Sequence, residues 1–157
     1  MIISLKQVII KEGEYMNTIR KSIFETNSSS THSISIDDTM INYSSITPDE
    51  NGNIILIGGQ FDWEEKDFYD ALTKANYCAI DQLRNESNIK MLKKVLIEQT
   101  GANDVILDFS GDYKHKNWSY IDHQSLGTSD EAFESEETLR NFIFGRESVL
   151  HTDNDNH

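Results

Sequence analysis

The sequence predicts an α+β domain: a mainly antiparallel sheet with two longer helices and one short C-terminal helix packed on one face. Three observations carry this reading. Short β-prone runs bounded by turn residues lie in both halves of the chain. Two stretches of helical periodicity stand back to back in the middle. The resulting order, β-β-β-α-α-β-β-α-β, groups like elements rather than alternating them, as an α+β architecture does.

The elements follow in turn. Ile19 to Phe24 reads as a strand, and Thr31 to Asp37 as a second. In the second, His32, Ile34 and Ile36 alternate with Ser33, Ser35 and Asp37, which puts His32 on the apolar face. Between the two, Thr26 to Ser30 is a loop of side chains that bond nearby backbone. Ile54 to Ile57 is a continuous apolar run, as in a buried strand, ended by Gly58-Gly59. Asp62 with Glu65 three residues on forms a reciprocal capping pattern and predicts a helix start. Phe68, Ala71, Leu72, Ala75, Cys78, Ala79 and Leu83 then fall at helical spacing, so one long helix runs to about Arg84.

Ser87 is placed to cap a second helix, with Ile89, Leu92, Val95 and Leu96 inward, three lysines outward and Gly101 as its stop. Val105 to Phe109 is another apolar strand. Trp118, Tyr120 and Ile121 alternate into a strand that delivers Asp122 and His123 at its end. Ser135 caps a short helix carrying Leu139, Phe142 and Ile143, ended by Gly145, and Ser148 to Thr152 is a last strand. Residues 16–152 form a single α+β domain, and 153–157 form a frayed acidic tail.

Composition narrows the function. At 157 residues the chain suits one domain with a real core. Its 14 basic and 27 acidic residues give a net charge of −13, a field that opposes phosphate polymers and disfavours direct nucleic-acid binding. Such a surface suits basic partners, although many small soluble proteins are acidic without using the charge. Eight acidic and two basic residues follow position 128, so much of the charge is C-terminal. A single cysteine, Cys78, permits no internal disulfide and fits a reducing cytosol; its place on the inward helix stripe makes it a core thiol. No apolar run approaches the ~20 residues of a spanning helix, and a cytoplasmic protein without membrane contact is expected.

The run Arg20-Lys21-Ser22-Ile23-Phe24-Glu25-Thr26-Asn27-Ser28-Ser29-Ser30-Thr31-His32-Ser33 resembles the N-terminal signature of a family of small uncharacterised phage and bacterial proteins. Tyr120 to Ser125, and Asn141 to Gly145 running on to Asp155, are similar to its other landmarks. The resemblance covers the two ends of the chain and implies a phage-type origin, with a bacterial host cytoplasm as the setting. The family has no established activity, so it brings no mechanism or cofactor.

Chemistry is sought in two segments. Hydroxyls and backbone N–H groups of the loop through Thr26, Asn27, Ser28, Ser29 and Thr31 can make an anion-binding concavity. The second segment is Asp122-His123-Gln124-Ser125. If the two meet, His32 and His123 flank one polar pocket, Ser30 or Ser28 is a nucleophile or anchor, Glu25 or Asp122 orients an imidazole, and Gln124 and Ser125 bind ligand. The expected function is binding of a small anionic ligand, with hydrolase or transferase chemistry. Against this, His32 reads equally as a satisfied core histidine and His123 as a polar strand end. His32, His123 and Asp122 would also make a three-ligand metal set, but no HxH, HExxH or CxxC spacing supports one. Arg20, Ser30-Thr31 and Glu134-Ser135-Glu136 occur in the order found in some ADP-ribosyltransferases, but His32 stands where a serine belongs.

The rival class is a non-catalytic acidic protein that inhibits a host factor or mimics nucleic acid. Its charge, concentrated from Asp130 to Asp155 and including Glu134, Glu136 and Glu137, would occupy a basic groove.

Residues 1–15 carry a further expectation. Lys11-Glu12-Gly13 permits a purine-rich codon run of ribosome-binding type shortly before the Met16 codon, so translation is expected to begin at Met16. The alternative is a genuine edge strand built from Ile2, Ile3, Leu5, Val8 and Ile9. Intact mass of the protein expressed from its own gene should match a start at Met16; a species beginning at Met1 would refute the internal start.

Overall fold

A computed structural model describes residues 30–39, 42–109 and 119–154. The predicted strand 19–24, the loop residues Glu25 to Ser29, Trp118 and the last three residues of the tail lie outside them. The described residues form a mixed α+β fold. In chain order they are β1 (Ser33–Ser35), β2 (Asn53–Leu56), β3 (Gln60–Phe61), β4 (Lys66–Phe68), α1 (Ala71–Asp81), α2 (Glu86–Thr100), β5 (Asp104–Leu107), β6 (Tyr120–Ile121), α3 (Glu136–Phe144) and β7 (Val149–Thr152). Two 3-10 turns, His123–Ser125 and Asp130–Glu134, lie between β6 and α3.

The strands divide among three small sheets. β7 is the centre of an antiparallel sheet, β1-β7-β4, while β2 pairs with β5 and β3 with β6, both in parallel. α1 packs on β2 and β6, α2 on β5, and α3 on both longer helices. Leu92, Val95, Leu96, Leu139, Phe142 and Ile143 are fully buried at the centre.

α2 and α3 follow the sequence reading closely. Ser135 caps α3 by accepting from the Thr138 N–H, and Gly101 ends α2 in the left-handed region at φ 76°, where a side chain would be strained. Asn85, two residues earlier than Ser87, caps α2. The start of α1 is a correction. Asp62 does not open a helix, because Phe61 pairs with Ile121 and Lys66 to Phe68 are drawn into the β7 sheet. The working cap is Asp70, whose carboxylate accepts from the Thr73 N–H. Ala71, Ala75, Cys78 and Ala79 are buried as the spacing implies, but Leu72 and Leu83 are about half exposed, and the helix stops at Asp81. Trp63, between β3 and β4, is 44 % exposed.

The tail also departs from expectation. Asp153 and Asn154 do not fray: the Thr31 N–H donates to the Asp153 carbonyl, and Ser30 bridges Asn154 antiparallel. These contacts prolong the β1–β7 pairing (Ile34 opposite Leu150) beyond the strand ends.

One polar residue holds the helices to the sheet. Lys74 is fully buried, and its Nζ donates to the carbonyls of Gly145 at 2.9 Å and Ser148 at 2.8 Å, 5.6 Å from the centre of the Phe142 ring. Gly145 is required for close approach, since a Cβ there would stand 2.5 Å from the Asn141 carbonyl. Burial pushes the Lys74 amine down to about 8. Between that value and 10.5 the unfolded chain binds a proton that the folded chain does not, so the lysine's contribution to stability rises with pH across this window. Lys74→Met should therefore fall further behind the wild type as pH rises from 8 to 10.5, by on the order of 3 kcal/mol in urea titrations. A gap that stays constant with pH would refute the buried-amine assignment.

Candidate functional site

Ser30 brings the two sequence-predicted segments together. Its Oγ donates to Asp122 Oδ2 at 2.8 Å and lies 2.5 Å from Ser125 Oγ. Because a serine has one proton and Ser30 gives it to the carboxylate, Ser125 must be the donor to Ser30. All three residues are buried. The other carboxylate oxygen, Oδ1, accepts from the Tyr120 hydroxyl at 3.0 Å. Burial, then the neighbouring Asp122 carboxylate, raise the pKa of that hydroxyl. Each of the two Asp122 oxygens is thus met by a hydroxyl donor, which is how a buried carboxylate is tolerated.

The two histidines occupy different surroundings. His32 is half-buried, with Nε2 at 2.7 Å from the Asp62 carbonyl and Nδ1 at 2.8 Å from the Tyr77 hydroxyl. A carbonyl only accepts, so Nε2 carries a proton, and in the neutral ring Nδ1 accepts from Tyr77. His123 is exposed on its 3-10 turn, its Nδ1 3.9 Å from Asp122 Oδ1. The two rings share no hydrogen-bond partner among the described residues. Gln124 is exposed beside His123, and exposed Thr31 is held through its backbone to Asp153. Glu25, Thr26, Asn27, Ser28 and Ser29 lie outside the described residues.

Residues that the sequence reading did not single out link these groups. Tyr77, fully buried on α1, donates its hydroxyl proton to His32 Nδ1. Thr128 Oγ1 donates to the Ser125 carbonyl at 2.5 Å and closes the 125–128 turn. His32 is therefore tied to α1 through Tyr77, and Thr128 to the backbone of Ser125. Burial raises the Tyr77 pKa, which keeps its proton on the hydroxyl at physiological pH.

One turn further along α1, Asp81 accepts from the Gly127 N–H at 2.7 Å and from the Ser129 N–H and Oγ at 2.9 and 2.6 Å. Gly127 has φ 93°, and the loop closes around the carboxylate as a backbone anion nest already filled by the protein's own side chain. Burial raises the Asp81 pKa against the pull of those donors. Gln82 adds bonds to Ser129 and Asp130 at 3.0 and 2.7 Å. A Tyr or Asp on a helix stripe reads locally as core or cap; only an expectation that the stripe faces a hydroxyl-rich loop would have marked them.

The arrangement offers hydroxyl and imidazole chemistry. No group of three or more His, Cys, Asp or Glu side chains among the described residues is placed to hold a metal ion. No described helix is long and apolar enough to cross a membrane. Comparison with protein-family models, curated proteins and solved structures finds no match for this chain.

The polar cluster is cooperative if the bond directions above hold. Ser30→Ala should cost about 1–2 kcal/mol and Asp122→Asn about 1–3 kcal/mol in chemical denaturation, each leaving a buried partner unmet. Together they should cost clearly less than the sum of the two. Strict additivity would mean that the Ser30–Asp122 bond is not formed in solution.

Proposed function

We propose that the junction of residues 30–32 with 122–128 binds a small anionic ligand and supports hydrolase or transferase chemistry, in a phage-type protein working in a bacterial host cytoplasm. The observation that carries this reading is the Ser30 Oγ, seated between Asp122 and Ser125. It draws the end of the hydroxyl-rich run, from Ser30 on, against the segment that carries the exposed His123. His123 is the proton carrier in this reading, because it alone of the two histidines has a solvent-facing ring, with the Asp122 carboxylate behind it. Ser30, Ser125 and Thr128 are positioning residues for the 122–128 segment, and Tyr77 positions His32. Hydroxyls of Thr26 to Ser29 would add donors to the ligand, as the sequence pattern suggests.

A second reading, a non-catalytic acidic protein acting on a basic host surface, is favoured by Glu131, Glu134 and Glu137, all exposed. Glu136 is less available, since Lys94 holds it at 2.7 Å.

Amide NMR of the full chain titrated with inorganic phosphate and pyrophosphate separates the two. The ligand reading expects saturable shifts confined to residues 26–32 and 122–128, lost in His123→Ala without a change in melting temperature. Shifts that scatter over the surface, or survive His123→Ala, would sink it. The acidic reading instead expects salt-sensitive binding to polylysine that is lost when Glu131, Glu134 and Glu137 are all changed to Lys and is indifferent to His123.

A further inference from the structure

The β2–β5 pair is covered on one face only. Ile54, Leu56 and Val105 point inward and are buried against the helices, as the apolar runs at 54–57 and 105–109 imply. Those runs are apolar on both faces, however, and the outward residues Ile55, Ile57 and Ile106 are 42, 48 and 39 % exposed. Ile55 and Ile106 are direct partners in the parallel register, so their side chains stand beside each other, with exposed Ile57 just past the end of β2. Parallel ladders are almost always covered on both faces, and their strands are apolar throughout for that reason. Here the sequence has the two-sided pattern, and the described residues cover only one side.

The rim of this face says what the cover is. Asp104, on the same outward side two residues before Ile106, is exposed, and exposed Asp49 and Glu50 stand in the turn that leads into β2. Asn103 ties that turn to β5, its N–H donating to the Gly52 carbonyl at 2.7 Å. No Lys or Arg occurs in residues 49–65 or 101–109. Among the described residues of these strands and their turns the charges beside the apolar strip are carboxylates, and such an edge repels nucleic acid and anionic lipid. It also repels a second copy of a chain whose net charge is −13. It complements a segment with apolar side chains interleaved with Lys or Arg.

We propose that the outer face of β2–β5 is a docking surface for a basic, apolar-faced segment of a partner protein. Ile55, Ile57 and Ile106 form its centre, and Asp104 with Glu50 its charged rim. The surface is independent of the Ser30–Asp122 junction and of the acidic residues of α3.

The test uses the full chain with isoleucine δ-methyl labels and a synthetic peptide of alternating valine and lysine. Binding should shift the methyls of Ile55, Ile57 and Ile106 and leave buried Ile54, Ile121 and Ile143 in place. Ile55→Ser with Ile106→Ser should weaken it about tenfold or more, Asp104→Lys should weaken it in a way that added salt mimics, and His123→Ala or the three-glutamate reversal should not change it. All the altered residues are exposed, so unchanged melting curves are expected and serve as the control for folding. Absence of binding, binding indifferent to the two isoleucines, or equal binding of the same peptide with Glu in place of Lys would each overturn the proposal. So would sedimentation showing a dimer that the double Ser variant abolishes, which would make the cover a second copy.

Discussion

A buried lysine whose amine bonds two backbone carbonyls holds the helices of this protein to its sheet. Lys74 reaches from α1 to the point where α3 ends and β7 begins, and its Nζ answers two carbonyls there. Those carbonyls sit at and just beyond the negative end of α3, where unmet acceptors accumulate and a cation is welcome. The cost is desolvation of the amine, visible as its lowered pKa. What it secures is the origin of β7, and β7 is the centre of the antiparallel sheet. Past its end the same strand supplies Asp153 and Asn154, which grip Thr31 and Ser30. The geometry of the Ser30–Asp122 cluster is therefore inherited from Lys74 through one strand.

α1 acts twice more in the same way. Lys74, Tyr77 and Asp81 follow one another at spacings of three and four, which places them on one stripe of the helix. Each sends its polar end to a different segment: Lys74 to the start of β7, Tyr77 to His32, and Asp81 to Gly127 and Ser129. Cys78, beside them, stays buried, its thiol raised by that burial and so kept protonated. A helix stripe that would ordinarily be aliphatic has become a polar spine, and every group on it is matched. That matching makes the 122–130 segment a fixed platform under the exposed ring of His123.

The contrast between legible and illegible parts follows from range. The caps at Ser135 and Gly101 and the stripes of α2 and α3 are local, and the sequence shows them. Asp62 and Glu65 show an equally good local pattern, yet Phe61 and Phe68 pack edge to face at 5.6 Å within paired strands, and the tertiary contact wins. Strands of two or three residues, such as β3 and β6, have too little sequence to announce a partner. Ser30 and Asp122 are 92 positions apart, and nothing local records their bond. The placement of His32 on a half-buried face was legible from alternation alone; its partner Tyr77 was not, because a tyrosine on an apolar stripe reads as core. The parallel pairing of β2 with β5 was hidden for the same reason, although the two-sided apolar pattern that makes its bare face informative was visible.

The titrating groups explain how an acidic chain can organise around these contacts. His151, on the central strand, lies between Asp67 at 2.5 Å and Asp153 at 3.5 Å, and the hydrogen bond to Asp67 raises its pKa. A base with a raised folded pKa contributes stability that is complete below the unfolded value near 6.5 and is lost as pH climbs through the folded one. Asp81, with a raised carboxylate pKa, also favours the folded state as pH falls towards 3.8, since the native chain takes up that proton first. Both effects act on the fastenings of the candidate site: Asp153 holds Thr31, and Asp81 holds the loop after Ser125. Lys74 works in the opposite direction at the alkaline end. The fold as a whole thus gains stability from His151 and Asp81 as pH falls and from Lys74 as it rises, so groups beside the Ser30–Asp122 junction and the lysine beneath it respond to different halves of the pH scale.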